Sequence, residues 1–398
     1  MSGQPTFEHG LVIGKFYPPH PGHHFLIRAA AQAGRRVTVV VMAAAVESIP
    51  LAERVSWLRA AFRDRPHVAV EGIVDDNEVD FESDAIWSAH VALMRAAVEQ
   101  GPHALVPVDA VFSSEPYGAE LARRFDAVEV RLDPPRATFA MSGTKVRSDP
   151  VAAWPLLEPP VRGWLAKRVV VLGAESTGTT TLAGDLADAL RARGGPHAMT
   201  RCVPEYGREL TVAKLAVLRG LAGRRTEPGS APTPESQPQP QPQSEPQPQP
   251  EPEPSIFDLV WTDADFELVV AQQCADEDHD AALGGPILVC DTDALATTVW
   301  QERYVGATTD PVRAVAAAMK PRALYILTGH EDVPFEDDGM RDGEHLRPWM
   351  TGRFRELLAA QPVPWIEVGG DRPTRLRQAL AAVDGLLAEG WNLADPLG

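Results

Sequence analysis

Apolar runs alternate with amphipathic stretches along most of the chain. In the first 150 residues, apolar runs at 11–16, 36–42, 67–73 and 110–113 alternate with helical periodicity at 22–34, 51–62, 87–100 and 118–125. Short runs rich in β-branched residues are typical of buried parallel strands. The alternation therefore predicts an open parallel sheet with helices on its faces.

A second alternating series begins at Arg168. RVVVLGAES predicts a strand and a loop, 180–193 a helix, PILVCD and ALYILTG two strands, and TRCVPEYGREL a further strand end. The series break near 150–160, where prolines are frequent. We predict two doubly wound α/β domains, at 9–150 and 167–398, joined by a linker at 151–166.

A proline-rich segment interrupts the second domain. Residues 226–255 hold 11 prolines, five glutamates and no lysine or arginine. Nothing in this composition can form an apolar core, so it predicts an extended, solvated and disordered spacer. A partner-binding role is the alternative, but no PxxP motif with flanking basic or aromatic residues supports it.

Composition narrows the class of protein. The chain of 398 residues has 37 basic and 55 acidic side chains, a net charge of −18, which argues against binding to nucleic acid or to anionic membranes. The 44% of hydrophobic residues is enough for packed cores. Three cysteines without a CxxC pair, no signal-like N-terminus and no apolar run of ~20 residues predict a cytoplasmic protein.

The first candidate site follows the first strand, in GKFYPPHPGHHFLI. His20 and His23 flank Gly22 where a helix begins, and helix N-termini attract phosphate. Two imidazoles there can donate to phosphate oxygens and stabilise the charge on a leaving pyrophosphate. The alternative is two loop histidines without a role.

A second cluster lies near the end of the same domain, in RATFAMSGTKVRSDP. Ser142, Thr144, Lys145 and Arg147 surround a glycine and suit the outer phosphates of a nucleotide. An ordinary capping turn with a solvated basic end would explain Ser142. It would not explain why the cluster occurs together with HPGH in one α/β domain.

HxGH near the start and SGTKVR near the end together resemble the nucleotidyltransferase superfamily. IPLAERVSWL, DAVFSSEPYGAELA and LDPPRATFAMSGTKVR are similar to the nicotinamide-mononucleotide adenylyltransferase part of the bifunctional NadR-type proteins. This resemblance implies a Rossmann-like nucleotidyltransferase fold that transfers the adenylyl group of ATP to nicotinamide mononucleotide. It also implies catalytic His20 and His23 and an ATP site at Gly14, Lys15, Phe16, Gly22, Ser142, Thr144, Lys145 and Arg147.

Aromatic residues between the two motifs are candidates for the acceptor site. Trp87 can stack on the cationic nicotinamide ring, since a cation over indole is favourable. Its alternative is a core position beside Val91 and Met94. Tyr117 and Glu115 in SSEPYG are further acceptor-site candidates.

The second domain opens with a phosphate-binding loop that lacks its usual lysine. VVVLGAESTGTTTLAG follows the order strand, glycine-rich loop, helix, with the glycine spacing of GxxxxGK[ST]. Thr179 stands in the lysine position. Losing one oriented charge costs about 3 kcal/mol, or about 10² to 10³ in rate. Backbone N–H groups still predict an ATP site at Gly173, Glu175, Ser176, Gly178, Thr179, Thr180 and Thr181.

Arginines further along could replace that lysine. EDDGMRDGEHLRPWMTGRFRE supplies Arg341, Arg347 and Arg353 and predicts a mobile lid that closes over the triphosphate. We assign Arg341 and Arg347 to ATP binding. A charged surface loop without a ligand is the alternative.

Carboxylates at strand ends complete the second site. Asp291 ends an apolar strand, and with Thr180 it is a candidate Mg²⁺ ligand. Asp293 can orient a substrate hydroxyl or accept its proton. VPEYGRE places Glu205, a further catalytic candidate, and Arg208, a substrate-binding candidate, nearby.

GAESTG, VPEYGRE, CDTDALATTVW and DDGMR resemble the ribosylnicotinamide kinase domain of the same NadR-type family. The resemblance implies a P-loop kinase fold that phosphorylates nicotinamide riboside with ATP and Mg²⁺. Trp300 and Tyr304 are then candidate walls for the nicotinamide ring, with a core role as the alternative for Trp300. Because Thr179 departs from the motif, a non-catalytic, nucleotide-sensing P-loop domain is an alternative for this half.

Partners follow from these assignments. We expect small-molecule substrates, namely nicotinamide mononucleotide, nicotinamide riboside and ATP, with another phosphorylated acceptor as the alternative for the first domain. HPGH begins at His20, which leaves no room ahead of it in this sequence for a helix-turn-helix, and the acidic balance disfavours DNA. We predict no DNA or membrane binding; the sequence is compatible with a homo-oligomer.

Overall fold

The computed structural model describes residues 6–132, 141–225, 253–331, 333–336, 341 and 343–397. They form two α/β units, each built on a parallel five-stranded sheet. The predicted fold class is therefore confirmed. Within the described part of the chain, no helix combines the length and apolar character that a membrane crossing requires.

The first unit has its sheet in the order β3-β2-β1-β4-β5. Its strands are β1 (Phe7–Gly14), β2 (Gly34–Ala43), β3 (Val68–Val74), β4 (Ala110–Ser113) and β5 (Val128–Arg131). Its helices are α1 (Pro21–Ala33), α2 (Leu51–Ala61), α3 (Asp84–Gln100), α4 (Gly118–Phe125) and α5 (Gly143–Ser148). The strand order reverses between β1 and β4, so the loops after these two strands open a crevice at the carboxyl edge.

The segment between the units is helical and packed. It contains α6 (Pro150–Ala153) and α7 (Pro159–Leu165). Trp154 is fully buried, and its indole N–H donates to the Gly284 carbonyl at 2.8 Å. The surrounding apolar cluster includes Trp57 of the first unit and Tyr325 of the second. The predicted linker is thus an ordered part of a core that both units share.

The second unit has its sheet in the order β10-β9-β6-β8-β7. Its strands are β6 (Lys167–Gly173), β7 (Arg201–Val203), β8 (Ile287–Asp291), β9 (Arg322–Thr328) and β10 (Trp365–Val368). Its helices are α8 (Thr179–Arg191), α9 (Tyr206–Arg225), α10 (Asp263–Leu283), α11 (Ala294–Val305), α12 (Asp310–Ala318), α13 (Arg347–Ala359) and α14 (Arg372–Ala388). β6 lies in the centre, so the loop after it faces the crevice between β6 and β8.

Two strands of the structure were not predicted from the sequence. β5 and β10 are the edge strands next to β4 and β9, each four residues long and only partly buried. Such strands carry little apolar signal, because one side lacks a neighbouring strand. The predicted spacer lies outside the described residues over 226–252.

The buried position of Trp154 makes a stability prediction. Trp154→Ala should lower the free energy of unfolding by about 3–5 kcal/mol, because it empties a large core site and leaves the Gly284 carbonyl without its donor. The matched control is Leu156→Ala in the same segment, which removes an exposed side chain and should cost at most about 0.5 kcal/mol. Urea denaturation followed by circular dichroism measures both. Equal, small effects would mean that this segment is a flexible linker.

Candidate active sites

The loop after β1 and the start of α1 form one side of the first site. His20 is the N-cap residue of α1 and is buried. Its ring stacks on that of His23, with centroids 3.7 Å apart and an interplanar angle of 26°. Gly22 lies between them in the first helical turn. The imidazole pair therefore lies at the positive end of the α1 dipole.

The start of α5 forms the opposite side of the same pocket. Ser142 caps α5 by accepting the Lys145 N–H at 3.2 Å. Thr144 and Arg147, one turn apart, face the pocket, and Arg147 donates from Nη1 to the Tyr17 carbonyl at 2.8 Å. The predicted residues brought together here are Lys15, Phe16, His20, Gly22, His23, Ser142, Thr144 and Arg147.

Lys145, the remaining residue predicted for this cluster, is not among the residues that line the pocket. Its residue is exposed on α5, and only its backbone N–H takes part in the cap. The helical period explains the difference, because the residue after Thr144 is rotated by about 100° away from the face that Thr144 and Arg147 share.

An aromatic pocket adjoins the pocket between α1 and α5, which we call the phosphate pocket. It is lined by Gly14, Trp87 and Tyr117, and it shares Lys15 and His23 with the phosphate pocket. The other lining residues include Phe81, whose ring stacks on Tyr117 with centroids 6.3 Å apart, and Glu115, which lines both pockets. Trp87 packs with Val91 and Met94 and also lines the pocket, and its stacking on a nicotinamide ring stays a prediction.

The loop after β6 has the geometry of a phosphate cradle. At Gly173 an added Cβ would lie 2.2 Å from the Thr328 hydroxyl oxygen, so a side chain does not fit there. Gly178 has φ of +84°, a left-handed conformation that favours glycine. The pocket that this loop opens onto contains the predicted residues Gly173, Glu175, Ser176, Gly178, Thr179, Thr180, Thr181, Glu205, Arg208, Trp300, Tyr304 and Arg341.

Two carboxyl groups lie close together beside this loop. Burial raises the pKa of Asp291 to about 6, although hydrogen bonding to Thr180 and the charge of Arg208 oppose the rise. Burial and the nearby Asp291 carboxylate raise the pKa of Glu205 to about 8. A bound cation would relieve both costs, because it stabilises the ionised carboxylates. No group of three or more His, Cys, Asp or Glu side chains forms a metal cage in the described residues. Asp291 and Thr180, which are hydrogen-bonded to each other, carry oxygen donors of the kind that Mg²⁺ takes alongside phosphates and water.

Asp293, which the sequence analysis predicts as a catalytic residue, is held by a helix cap and by two side chains of the second unit. It caps α11 by accepting the Ala296 N–H at 2.9 Å. Its other carboxylate oxygen accepts from Arg322 at 3.1 Å and from the Tyr325 hydroxyl at 2.9 Å. The side chain is fully buried and does not line the pocket. Glu175 and Glu205 are carboxyl side chains that line the pocket, and the catalytic role of Asp293 stays a prediction.

The three arginines of the predicted lid occupy different environments in the structure. Arg341 lines the pocket and donates to the Ser176 hydroxyl at 3.3 Å. Arg347 is buried away from the pocket, where its Nη2 donates to the carbonyls of His330 and Val333. The remaining arginine of the segment, Arg353, pairs with glutamates of α11 and α13. In this structure Nη2 of Arg347 is engaged by backbone carbonyls, and its predicted role in ATP binding stays a prediction. The DDGM part of this segment, at 337–340, lies outside the described residues.

An aromatic wall faces the P-loop across the pocket. The Trp300 and Tyr304 rings stack with centroids 6.4 Å apart, and Trp261 adds a third ring 5.5 Å from Tyr304. Arg303 lies over Tyr304 at 4.7 Å and pairs with Glu175 at 3.1 Å. Sequence reasoning missed Trp261. The only signal was its position directly before the capping box that opens α10.

Arg375 is a second functional candidate that the sequence did not reveal. Its guanidinium is buried and donates to the carbonyls of Thr177, Gly329 and Gly370 at 2.6, 3.2 and 2.9 Å. These carbonyls belong to the P-loop and to the loops after β9 and β10. Arg375 thus holds the P-loop from behind, and it places a positive charge close to the position where the lysine is missing.

We predict that Arg375→Met weakens ATP binding at the P-loop by tenfold or more, because three carbonyls lose a charged donor worth about 1.5–3 kcal/mol each. Hydrogen exchange of the segment 173–181 should show protection by Mg²⁺ and a non-hydrolysable ATP analogue in the unaltered chain and much less in the variant. The matched control is Arg377→Met on the same helix, whose exposed guanidinium donates to the Thr374 hydroxyl. Equal protection in both variants would remove Arg375 from the nucleotide site.

Family comparisons agree with the division into two units. Residues 11–148 match the cytidylyltransferase-like family model, and residues 168–231 and 244–375 match a model of the AAA domain. The two matched regions coincide with the two sheets and with the pockets described above.

Part of the chain is similar in sequence to two known proteins. The chain is 24% identical over 220 residues to the trifunctional NAD biosynthesis/regulator protein NadR of Escherichia coli (strain K12) and of Salmonella typhimurium (strain LT2). Each match covers 52% of this chain and 50% of the relative, so the chain spans about half the length of the curated relatives it matches.

Two solved structures extend over nearly the whole chain. A NadR protein in complex with NR has a TM-score of 0.67 at 20% identity, covering 96% of both chains. A NadR protein in complex with NAD and AMP-PNP has a TM-score of 0.66 at 19% identity, covering 96% of this chain and 98% of that one. The chain is therefore similar to NadR proteins in fold, with a cytidylyltransferase-like unit followed by an AAA-type P-loop unit.

Proposed function

We propose that the first unit transfers the adenylyl group of ATP to nicotinamide mononucleotide, giving NAD and pyrophosphate. The observation that carries this proposal is the meeting of two distant motifs in one pocket. His20 and His23 on α1 face Thr144 and Arg147 on α5 across it. The adjoining aromatic pocket suits a nicotinamide ring. The names of the matched relatives, which refer to NAD biosynthesis, support the same substrate class.

The shared residues of the two pockets indicate where the reaction takes place. The acceptor 5′-phosphate attacks the α-phosphorus of ATP, and the bond to pyrophosphate breaks as the new bond forms. Lys15 and His23 line both pockets, so they lie where the acceptor phosphate and the α-phosphate must meet. Their role is to position and neutralise charged oxygens, and no covalent intermediate with the protein is needed.

We further propose that the second unit phosphorylates nicotinamide riboside with ATP, which supplies the substrate of the first. The pocket joins a phosphate cradle to the aromatic wall of Trp261, Trp300 and Tyr304, the arrangement that a nucleoside and a triphosphate together require. Thr180 and Asp291 would hold Mg²⁺, which neutralises charge on the phosphates when bound. Glu205 faces the pocket and would contact the 5′-hydroxyl of the riboside.

The purified chain should convert nicotinamide riboside, ATP and Mg²⁺ into NAD in one vessel, as chromatography of the products would show. His23→Ala should accumulate the mononucleotide and slow its conversion to NAD by about 10², because one donor to the transition state is lost. Asp291→Asn should block use of the riboside and leave the conversion of added mononucleotide to NAD unchanged.

Each failure of this experiment has a distinct meaning. ATP binding without any mononucleotide formed would indicate a nucleotide-sensing second unit. Faster turnover of the acid form of the mononucleotide or of phosphopantetheine would reassign the acceptor. His345→Ala, an exposed histidine in the second unit, is the control and should leave adenylyl transfer unchanged.

Thr179→Lys should accelerate riboside phosphorylation by about tenfold or more, because it returns a charge directly to the phosphate cradle. Thr179 lines the pocket, whereas Arg375 contacts the P-loop through the Thr177 carbonyl. Steady-state rates at saturating ATP measure the effect. An unchanged or slower rate would mean that Arg375 and Arg341 already supply the charge that the lysine would add.

A further inference from the structure

The last described residues of the chain leave the second unit and lie on the first. After α14 ends at Ala388, Trp391 donates from its indole N–H to the Leu165 carbonyl at 2.6 Å, and the Lys167 ammonium lies 5.0 Å from the centre of its ring. This contact fixes the start of the segment 391–397 at the junction between the two units.

Two main-chain groups of Ala394 then bind the first unit. Its N–H donates to the Ser48 hydroxyl at 2.8 Å, and its carbonyl accepts the Tyr17 hydroxyl at 2.9 Å. The Tyr17 hydroxyl also accepts the Ser48 N–H at 2.8 Å. Ala394, Ser48 and the Tyr17 hydroxyl thus form a closed set of three hydrogen bonds. Because Ala394 takes part only through its main chain, its binding does not depend on its side chain.

The end of the segment reaches both pockets of the first site. Pro396 lines the phosphate pocket and Leu397 lines the aromatic pocket. The Leu397 carbonyl accepts a hydrogen bond from Nζ of Lys15, the lysine that both pockets share. A residue range that follows the kinase-like unit is therefore built into the walls of the other site.

We propose that residues 391–397 position Lys15 and Tyr17 for adenylyl transfer, an inference that rests on the function proposed for the first unit. The Lys15 ammonium also pairs with the buried Glu47 carboxylate at 3.5 Å. The Leu397 carbonyl is neutral, so it directs the ammonium without cancelling more of its charge. An ammonium has three N–H groups, so one donor is left for a phosphate. The second unit thereby contributes a positioning segment to the first active site.

Tyr17 extends this effect to Arg147. The Tyr17 ring lies between two guanidinium groups, 4.3 Å from that of Arg54 and 4.8 Å from that of Arg147. The Tyr17 carbonyl also accepts from Arg147 at 2.8 Å. Holding the Tyr17 hydroxyl therefore holds the residue against which Arg147 is oriented towards the phosphate pocket.

The test is a chain truncated after Trp391, which keeps the indole contact with Leu165. We expect kcat/KM for adenylyl transfer to fall by tenfold or more, since displacing phosphate-binding groups by about 1 Å can cost 10² in rate. Riboside phosphorylation and the melting temperature should not change. Ala394→Pro, which removes the N–H bound to Ser48, should act in the same direction. Arg377→Ala, an exposed position on α14 outside this segment, is the control and should have no effect.

Hydrogen exchange of residues 14–20 separates this inference from the proposed function. In the absence of ligand, exchange should be faster in the truncated chain than in the full chain. If the full chain makes no NAD from the mononucleotide, the proposed function fails while the exchange result still decides whether the segment orders the loop. Unchanged exchange, or adenylyl transfer that is equal or faster after truncation, would overturn the positioning role.

Discussion

All strands of each sheet run in the same direction, and both candidate sites depend on this constraint. Parallel strands place their carboxyl ends on one edge, where the following loops and helix starts converge. The central strands β1 and β6 each lead into a helix whose N-terminus faces that edge. Backbone N–H groups and the helix dipole then create phosphate sites without large side chains. The core around Trp154 connects the two units, so their two edges belong to one packed structure.

The side chains around the first pocket are more basic than the composition of the whole chain. The net charge is −18, yet histidine, lysine and arginine side chains gather around the first pocket. In the second unit the usual lysine is replaced by Thr179, and the buried Arg375 contacts the loop through the Thr177 carbonyl. The neighbouring carboxyl groups of Asp291 and Glu205 hold their protons more strongly than usual. A cation bound beside them would lower both pKa values, because it favours the ionised carboxylates.

The sequence was most informative where short motifs are read with their structural context. Glycine spacing, the strand before it and the helix after it were sufficient to identify the P-loop, and the HPGH motif was identified in the same way. The sequence was less informative where packing gives a side chain of suitable chemistry other partners. Asp293 and Arg347 are buried among partners distant in sequence, and Lys145 is turned away by the helical period. These contacts join positions up to 32 residues apart for Asp293, and periodicity does not report them.

What the sequence alone determined is the architecture of each unit and the position of its phosphate-binding motifs. Apolar periodicity defines the strands and helices, and motif spacing places phosphate-binding groups at their ends, because both are local properties. The tertiary structure decided which side chains face the pockets, that the expected linker is part of a shared core, and that Trp261, Arg375 and residues 391–397 belong to the sites. These contacts join segments that are far apart in the chain. Which residues meet in them depends on the tertiary fold and not on the residues next to each segment in sequence.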